Sequence, residues 1–300
     1  LKALAVLDME AGLFEEAIQR LEKAVLRDSG DGMLWFYLGS AYFHSNQMEN
    51  AMRSAFRSIH TIATASLGYD LAGRICMRSG EYSKAVEMFE SATRKNPDDI
   101  RAINHLAIAQ YASGNHKAAR SLASERAQID PTDPIPSSIL ALMKKGGMAS
   151  WIASMQDCLG DFDFEIIEAS LIFSELGLFE EASRILQSAF MEDTGSNAIN
   201  PLPFYYLAEL AGRLNDMESI YEYLQRAESL PGDGIFPSRL EMIPVLQFAI
   251  KTSFSKNQPS SRACLHLGNL LAGLGRLVEA SEYWKQAVEQ DATLSVAWRN

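Results

Sequence analysis

The stretch Trp35-Phe36-Tyr37-Leu38-Gly39-Ser40-Ala41-Tyr42, followed nine residues later by Ala51, decides the fold. It reads as the first helix of a pair, with Asn46 at a tight turn and Ala51 inside the second helix. Gly39, late in the first helix, lets the partner helix approach. Asn46 can take the left-handed conformation that ends a helix. Ala51 falls where the two helices cross most closely, and a bulky side chain there would overpack at a cost of roughly 1–3 kcal/mol.

The same pattern recurs every 34 residues. Ala17, Ala51, Ala85 and Ala119 keep that spacing, and so do Gly12, Asn46, Gly80 and Gly114, and Leu4, Leu38, Ala72 and Leu106. Gly39, Gly73 and Ala107 form a small-residue register. Pro97 and Pro131 stop second helices. Asp98-Asp99 and Asp133 favour the start of the helices that follow.

Trp35-x-x-Leu38-Gly39-x-x-Tyr42 with Ala51 resembles the signature of the tetratricopeptide repeat, whose period is about 34 residues. So does the set Tyr69, Gly73, Gly80, Ala85, Phe89, Ala92 and Pro97. The resemblance implies an all-α fold, a right-handed superhelical solenoid covering residues 1–300. Regular repeats span 1–133. A degenerate, shortened pair is expected over 134–162, because Ala119 and Ala182 stand five residues short of two periods. Repeats resume over 163–227, marked by Gly177, Ala182, Leu186 and Ala189, then by Leu207, Ala208, Asn215, Leu224 and Ala227, with Ile220 replacing the usual small residue. An irregular segment covers 228–260, with a turn at Leu230-Pro231-Gly232-Asp233-Gly234 and one helix near Ser238–Lys251. A clean repeat at 261–294 carries Gly268, Gly275, Ala280, Trp284 and Ala287. Trp298 stands one period after Cys264, so 295–300 reads as the start of a further repeat. Both ends fall inside the pattern, as expected for a piece of a longer protein.

Composition excludes several functions. At 47% hydrophobic residues, the chain has ample material for a continuous core, which argues against disorder. Its net charge is -11, with 38 acidic and 27 basic residues. Nucleic acid and anionic membranes attract clustered Lys and Arg, so neither is an expected partner, and a basic or neutral protein fits better. No run of about 20 apolar residues is present for membrane insertion. Cys76, Cys158 and Cys264 are widely spaced and odd in number, which signals neither a disulfide framework nor a zinc site. A cytoplasmic setting is expected.

In tetratricopeptide arrays the first helix of each pair lines the groove where partners lie. Carried over by position, the groove would present Phe36, Ser40, Phe43 and His44, then Asp70, Arg74, Met77 and Arg78, then Arg101, Asn104, Ile108 and Tyr111. Aromatic and Arg anchors of this kind suit a partner peptide or domain. The competing possibility is that several of these side chains face neighbouring helices or plain solvent. The carboxylate-clamp subset of the family captures a partner's C-terminal acid with Lys, Asn and Arg. Here the matching places hold Phe36, Tyr37, Ser40, Arg74 and His105, so the clamp pattern is missing.

No residue constellation calls for catalysis, a metal or a cofactor. Asp161-Phe162-Asp163-Phe164-Glu165 with Glu168 lacks the internal Gly of a calcium loop and reads as acid at a helix N-terminus. His44, His60, His105, His116 and His266 form no metal-ligand pair. Gly273-Leu274-Gly275-Arg276 follows no strand and is no phosphate loop.

A second resemblance lies in the last third. Phe236-Pro237-Ser238-Arg239-Leu240-Glu241, Leu267-Gly268-Asn269-Leu270-Leu271 and Ala297-Trp298-Arg299-Asn300 are similar to the repeat arm of large bacterial proteins that carry an N-terminal β-rich domain of unknown function. That resemblance implies a bacterial source and upstream domains. The expected function is therefore a non-catalytic protein–protein interaction scaffold. The alternative is a structural arm of a larger, carbohydrate-active protein whose chemistry lies elsewhere. Self-association through the stacking faces is a third option.

Overall fold

The computed structural model describes residues 1–191, 200–231, 234–256 and 258–299. Gly232 and Asp233 of the expected turn, and Asn300 of the opening repeat, lie outside the described residues. Among the described residues all regular structure is helical: eighteen α-helices, one short 3₁₀ turn and no strand. The chain divides into two compact units, Leu1–Glu181 and Ala182–Asn300.

The first unit stacks helical pairs. These are α1 (Lys2–Glu10) with α2 (Phe14–Arg27), α3 (Gly32–His44) with α4 (Met48–Ile59), α5 (Ala65–Arg78) with α6 (Tyr82–Lys95), and α7 (Ile100–Ala112) with α8 (His116–Ile129). The starts are written in the sequence. Asp31 accepts hydrogen bonds from the Met33 and Leu34 amides, Asp99 from Ala102 and Asp133 from Ile135. Each side chain satisfies amides that have no partner inside the helix. The turns follow the same logic: Asn46 and Gly80 both take positive φ, at 59° and 72°.

Packing explains the small residues. Ala17, Ala51, Ala85 and Ala119 are fully buried. A Cβ on Gly39 would stand 2.8 Å from the Leu71 side chain and 3.3 Å from the Ala51 carbonyl oxygen. A Cβ on Gly73 would stand 2.6 Å from the Phe89 ring. A side chain at Gly73 would drive into the Phe89 ring, and one at Gly39 would have to push the Leu71 side chain aside, so both places favour glycine.

After α8 come α9 (Pro134–Leu142) and α10 (Gly147–Cys158). They are joined through Gly146, which is left-handed, and Trp151 Nε1 donates to Ser137 Oγ at 2.8 Å. Next is α11 (Phe162–Glu175), then α12 (Phe179–Phe190). Asp161 caps α11 through the Phe164 amide, and Asp163 and Glu165 stand in its first turn. The acidic cluster is thus placed at the positive end of a helix dipole.

The second unit pairs α13 (Leu202–Arg213) with α14 (Met217–Ser229) and α16 (Ser261–Gly273) with α17 (Leu277–Gln290), ending in α18 (Ser295–Arg299). Between the pairs runs α15 (Met242–Ser255), packed on α13 with the Phe248 ring against Gly212. It begins four residues later than the expected helix near Ser238. Pro244 accounts for the later start, since proline is tolerated only in a first turn, where its missing N–H leaves no bond unmade. Glu228 at the end of α14 accepts from Tyr205 Oη at 2.8 Å and from the Arg262 and Ala263 amides, each at 3.0 Å. One half-buried carboxylate therefore caps α16 and ties it to α13.

Candidate interaction groove

The first helices of three successive repeats align their side chains in columns. Phe36, Asp70 and Asn104 are one period apart, as are Ser40, Arg74 and Ile108, and Phe43, Met77 and Tyr111. Within each helix these positions recur at three- or four-residue steps, so they share one face. That face, built from α3, α5 and α7, is the candidate groove.

The structure divides its members. Phe43, Asp70, Arg74, Met77 and Asn104 are buried, with Phe43 only 1% and Arg74 8% exposed. Phe36 and Tyr111 are half-buried, and Arg101 and His44 are exposed. The central residues are thus part of a packed interior rather than an open surface.

Charge organises that interior. Asp70 Oδ1 and His105 Nδ1 lie 2.7 Å apart, both sealed from solvent. Burial opposes ionisation of Asp70, but the facing His105, its hydrogen bond, and the charges of Arg74 and Arg101 outweigh it and hold the carboxyl below its ordinary range. Arg74 is lowered to about 10, chiefly by burial, with Arg101 and Arg78 adding repulsion and Asp70 opposing. The guanidinium groups of Arg74 and Arg78 sit 4.6 and 4.9 Å from the Phe43 ring centroid. These are cation–π distances. His44 stacks on Phe14 at 4.9 Å and meets Phe43 edge-on at 5.7 Å. Crowding by those rings, then the Arg74 and Arg78 charges, push its imidazole down to about 4. Asn104 Nδ2 donates to Asp133 at 3.0 Å.

A further set of residues closes the face; Gly177 marked its turn in the sequence, but no motif tied that turn to this face. Arg74 forms an ion pair with Glu175, 101 residues further along the chain. Tyr111 Oη donates to Glu181 at 3.2 Å. Between those two glutamates, α11 ends in a turn where the Gly177 amide bonds to the Ser174 carbonyl and the Leu178 amide to the Phe173 carbonyl. Gly177 takes φ +81°, and a Cβ there would stand 3.4 Å from Arg78 Cα. Leu176 and Leu178 are buried. The shortened spacing from Ala119 to Ala182 signalled a departure from the regular array, but not the place where the returning turn would land.

The described residues hold no His, Cys, Asp and Glu cluster suited to a metal ion. No described helix is long and apolar enough to cross a membrane.

Three models described as tetratricopeptide repeat match residues 2–65, 77–143 and 261–293. The DnaJ homolog subfamily C member 7 homolog of Schizosaccharomyces pombe is 25% identical over 207 residues, covering 61% of this chain and 43% of that protein. The BBSome complex member BBS4 of Bos taurus is 22% identical over 161 residues, covering 54% of this chain and 28% of its own. This chain spans less than half the length of either relative. Among solved structures, the C-terminal part of a repeat-containing protein from Cytophaga hutchinsonii aligns over 100% of this chain and 98% of its own, at 13% identity and a TM-score of 0.40. With the 34-residue period and the helical pairs, these family matches show that the chain belongs to the tetratricopeptide-repeat superfamily.

Proposed function

We propose that this chain is a non-catalytic scaffold that docks a partner peptide or protein domain on the α3–α5–α7 face. The observation that carries the proposal is the alignment of that face into columns one period apart, rimmed by Phe36, Arg101 and Tyr111. Aromatic and Arg side chains are the residue types that interface hot spots favour. The acidic net charge supports a protein partner over nucleic acid.

One observation favours the other reading, a structural arm of a larger protein. The centre of the face is filled by this chain's own side chains and by the Glu175–Glu181 turn. An arm that only spaces other domains needs no open groove.

The two readings separate in an affinity capture from lysate, using the native chain and a variant with Phe36→Glu, Arg101→Glu and Tyr111→Glu. Arg101 is exposed and Phe36 and Tyr111 are half-buried, so circular dichroism is used to check that the variant keeps its helical content. A partner retained by the native chain and lost by the folded variant supports docking on this face. No specific partner for either chain favours the arm.

A further inference from the structure

The face that the repeats build is not left empty. Glu175 reaches Arg74, Glu181 reaches Tyr111, and the backbone of Gly177 lies against Arg78. Leu176 and Leu178 are buried on either side of that glycine. The segment therefore presents two carboxylates about a leucine-flanked turn to a face where Arg74, Arg78 and Arg101 outnumber the one buried carboxylate, Asp70. This is a basic spot on a chain whose net charge is -11.

We propose that Glu175–Glu181 is an internal ligand, and that the site it fills on α5 and α7 also receives an acidic peptide of the same chemistry from a partner. The inference rests on the docking reading above and names the partner's chemistry and its regulation. The partner's segment carries two carboxylates flanking a short apolar turn. It gains the site only when the resident turn is displaced.

Arg74 is the observation that separates a receptor from ordinary packing. More than nine-tenths of it is buried, yet among the described residues nothing accepts a hydrogen bond from its Nε. Glu175 engages the guanidinium through one terminal nitrogen. A carboxylate arriving with the bidentate geometry that guanidinium groups favour would satisfy Nε as well. The resident ligand thus leaves part of the site's hydrogen-bonding capacity unused, and a partner peptide can exploit it.

The tether sets the terms of competition. A segment attached to its own receptor acts at an effective concentration on the order of millimolar. A free peptide of equal intrinsic affinity, added at micromolar concentration, is therefore excluded from the native chain. Weakening the resident turn removes that competition without altering α5 or α7.

The test uses the full 300-residue chain and a fluorescent peptide with the sequence of residues 172–181, followed by anisotropy. The native chain is expected to bind the peptide weakly. A variant carrying Glu175→Arg and Glu181→Arg is expected to bind it about tenfold more tightly or better. A peptide carrying Glu175→Gln and Glu181→Gln is expected to lose that gain. A variant that keeps its helical circular dichroism but binds no better than the native chain overturns the inference. Should the variant unfold, amide exchange of the native chain under millimolar peptide decides. Faster exchange at Leu176–Glu181 supports displacement, and unchanged exchange overturns it. Partner capture that survives a peptide failure leaves the docking face standing and rejects only the internal ligand.

Discussion

Asp70 on α5 and His105 on α7 meet at 2.7 Å across a repeat boundary, with both side chains closed to solvent. Solenoid stability is a sum of repeat and neighbour-interface contributions, so a polar pair at this boundary couples two repeats directly. Asp70→Asn replaces the carboxylate with a neutral amide beside His105, Arg74 and Arg101. The expected loss is about 1.5–3 kcal/mol at neutral pH, as for hydrogen bonds to charged groups. The pH dependence has a fixed sign. The folded carboxyl titrates below its ordinary value of 3.8, so its contribution is complete above that value and lost as pH falls through the lower folded one. Urea unfolding of both proteins should show the gap at pH 7 and its closure well below pH 4. A gap that is unchanged in acid would remove the charge from the explanation.

Glu228 in the second unit predicts the opposite trend. Burial pushes its carboxyl above the ordinary 4.5, and the hydrogen bonds from Tyr205 and the Ala263 and Arg262 amides offset this only in part. A group raised on folding favours the native state below its unfolded value, and that contribution is lost as pH rises through the folded one. Glu228→Gln abolishes this titration and keeps one oxygen, enough to accept from Tyr205 and one α16 amide but not both amides, a loss that does not depend on pH. The stability difference between variant and native chain should therefore shift toward the variant as pH rises from about 4 to 7. Amide exchange at Cys264 and Leu265 follows the second unit alone and reports this shift. A shift toward the native chain over that range would contradict the assigned burial of the carboxylate.

These two pairs differ in how far they could be read from the sequence. The register that carries Gly39, Gly73 and Ala51 was legible because each repeat packs mainly on its neighbours, and a constant period means a constant contact. The face carrying Asp70 and Arg74 was legible by the same periodicity. Its burial was not, because a groove position and a core position share the same three- and four-residue spacing. Phe43 and Met77 look alike in either role. Least legible was the return of Glu175 to Arg74. That contact depends on the accumulated geometry of α8, α9 and α10, and no local residue type encodes it. His105 was read as a departure from the clamp pattern and as lacking a metal-ligand partner; its contact with Asp70 was not legible, since it crosses a full period.

Gly177 offers a test of the returning turn that changes no charge. Gly114 ends α7 at φ +82°, almost the same conformation as Gly177 at +81°. Any side chain pays the same left-handed strain at either place, about 1–2 kcal/mol. Their surroundings differ. Nothing lies within 4 Å of a Cβ built on Gly114, whereas one on Gly177 already touches Arg78 Cα at 3.4 Å. The two methyls of valine extend beyond that contact toward backbone that cannot step aside. Gly177→Val should therefore cost more than Gly114→Val in thermal unfolding. It should also speed amide exchange at Leu176 and Leu178, while Gly114→Val leaves those amides protected. If Glu175–Glu181 is the internal ligand, only Gly177→Val also tightens binding of the 172–181 peptide. Equal behaviour of the two variants would mean that the turn does not seat on α5 as the Gly177–Arg78 contact requires.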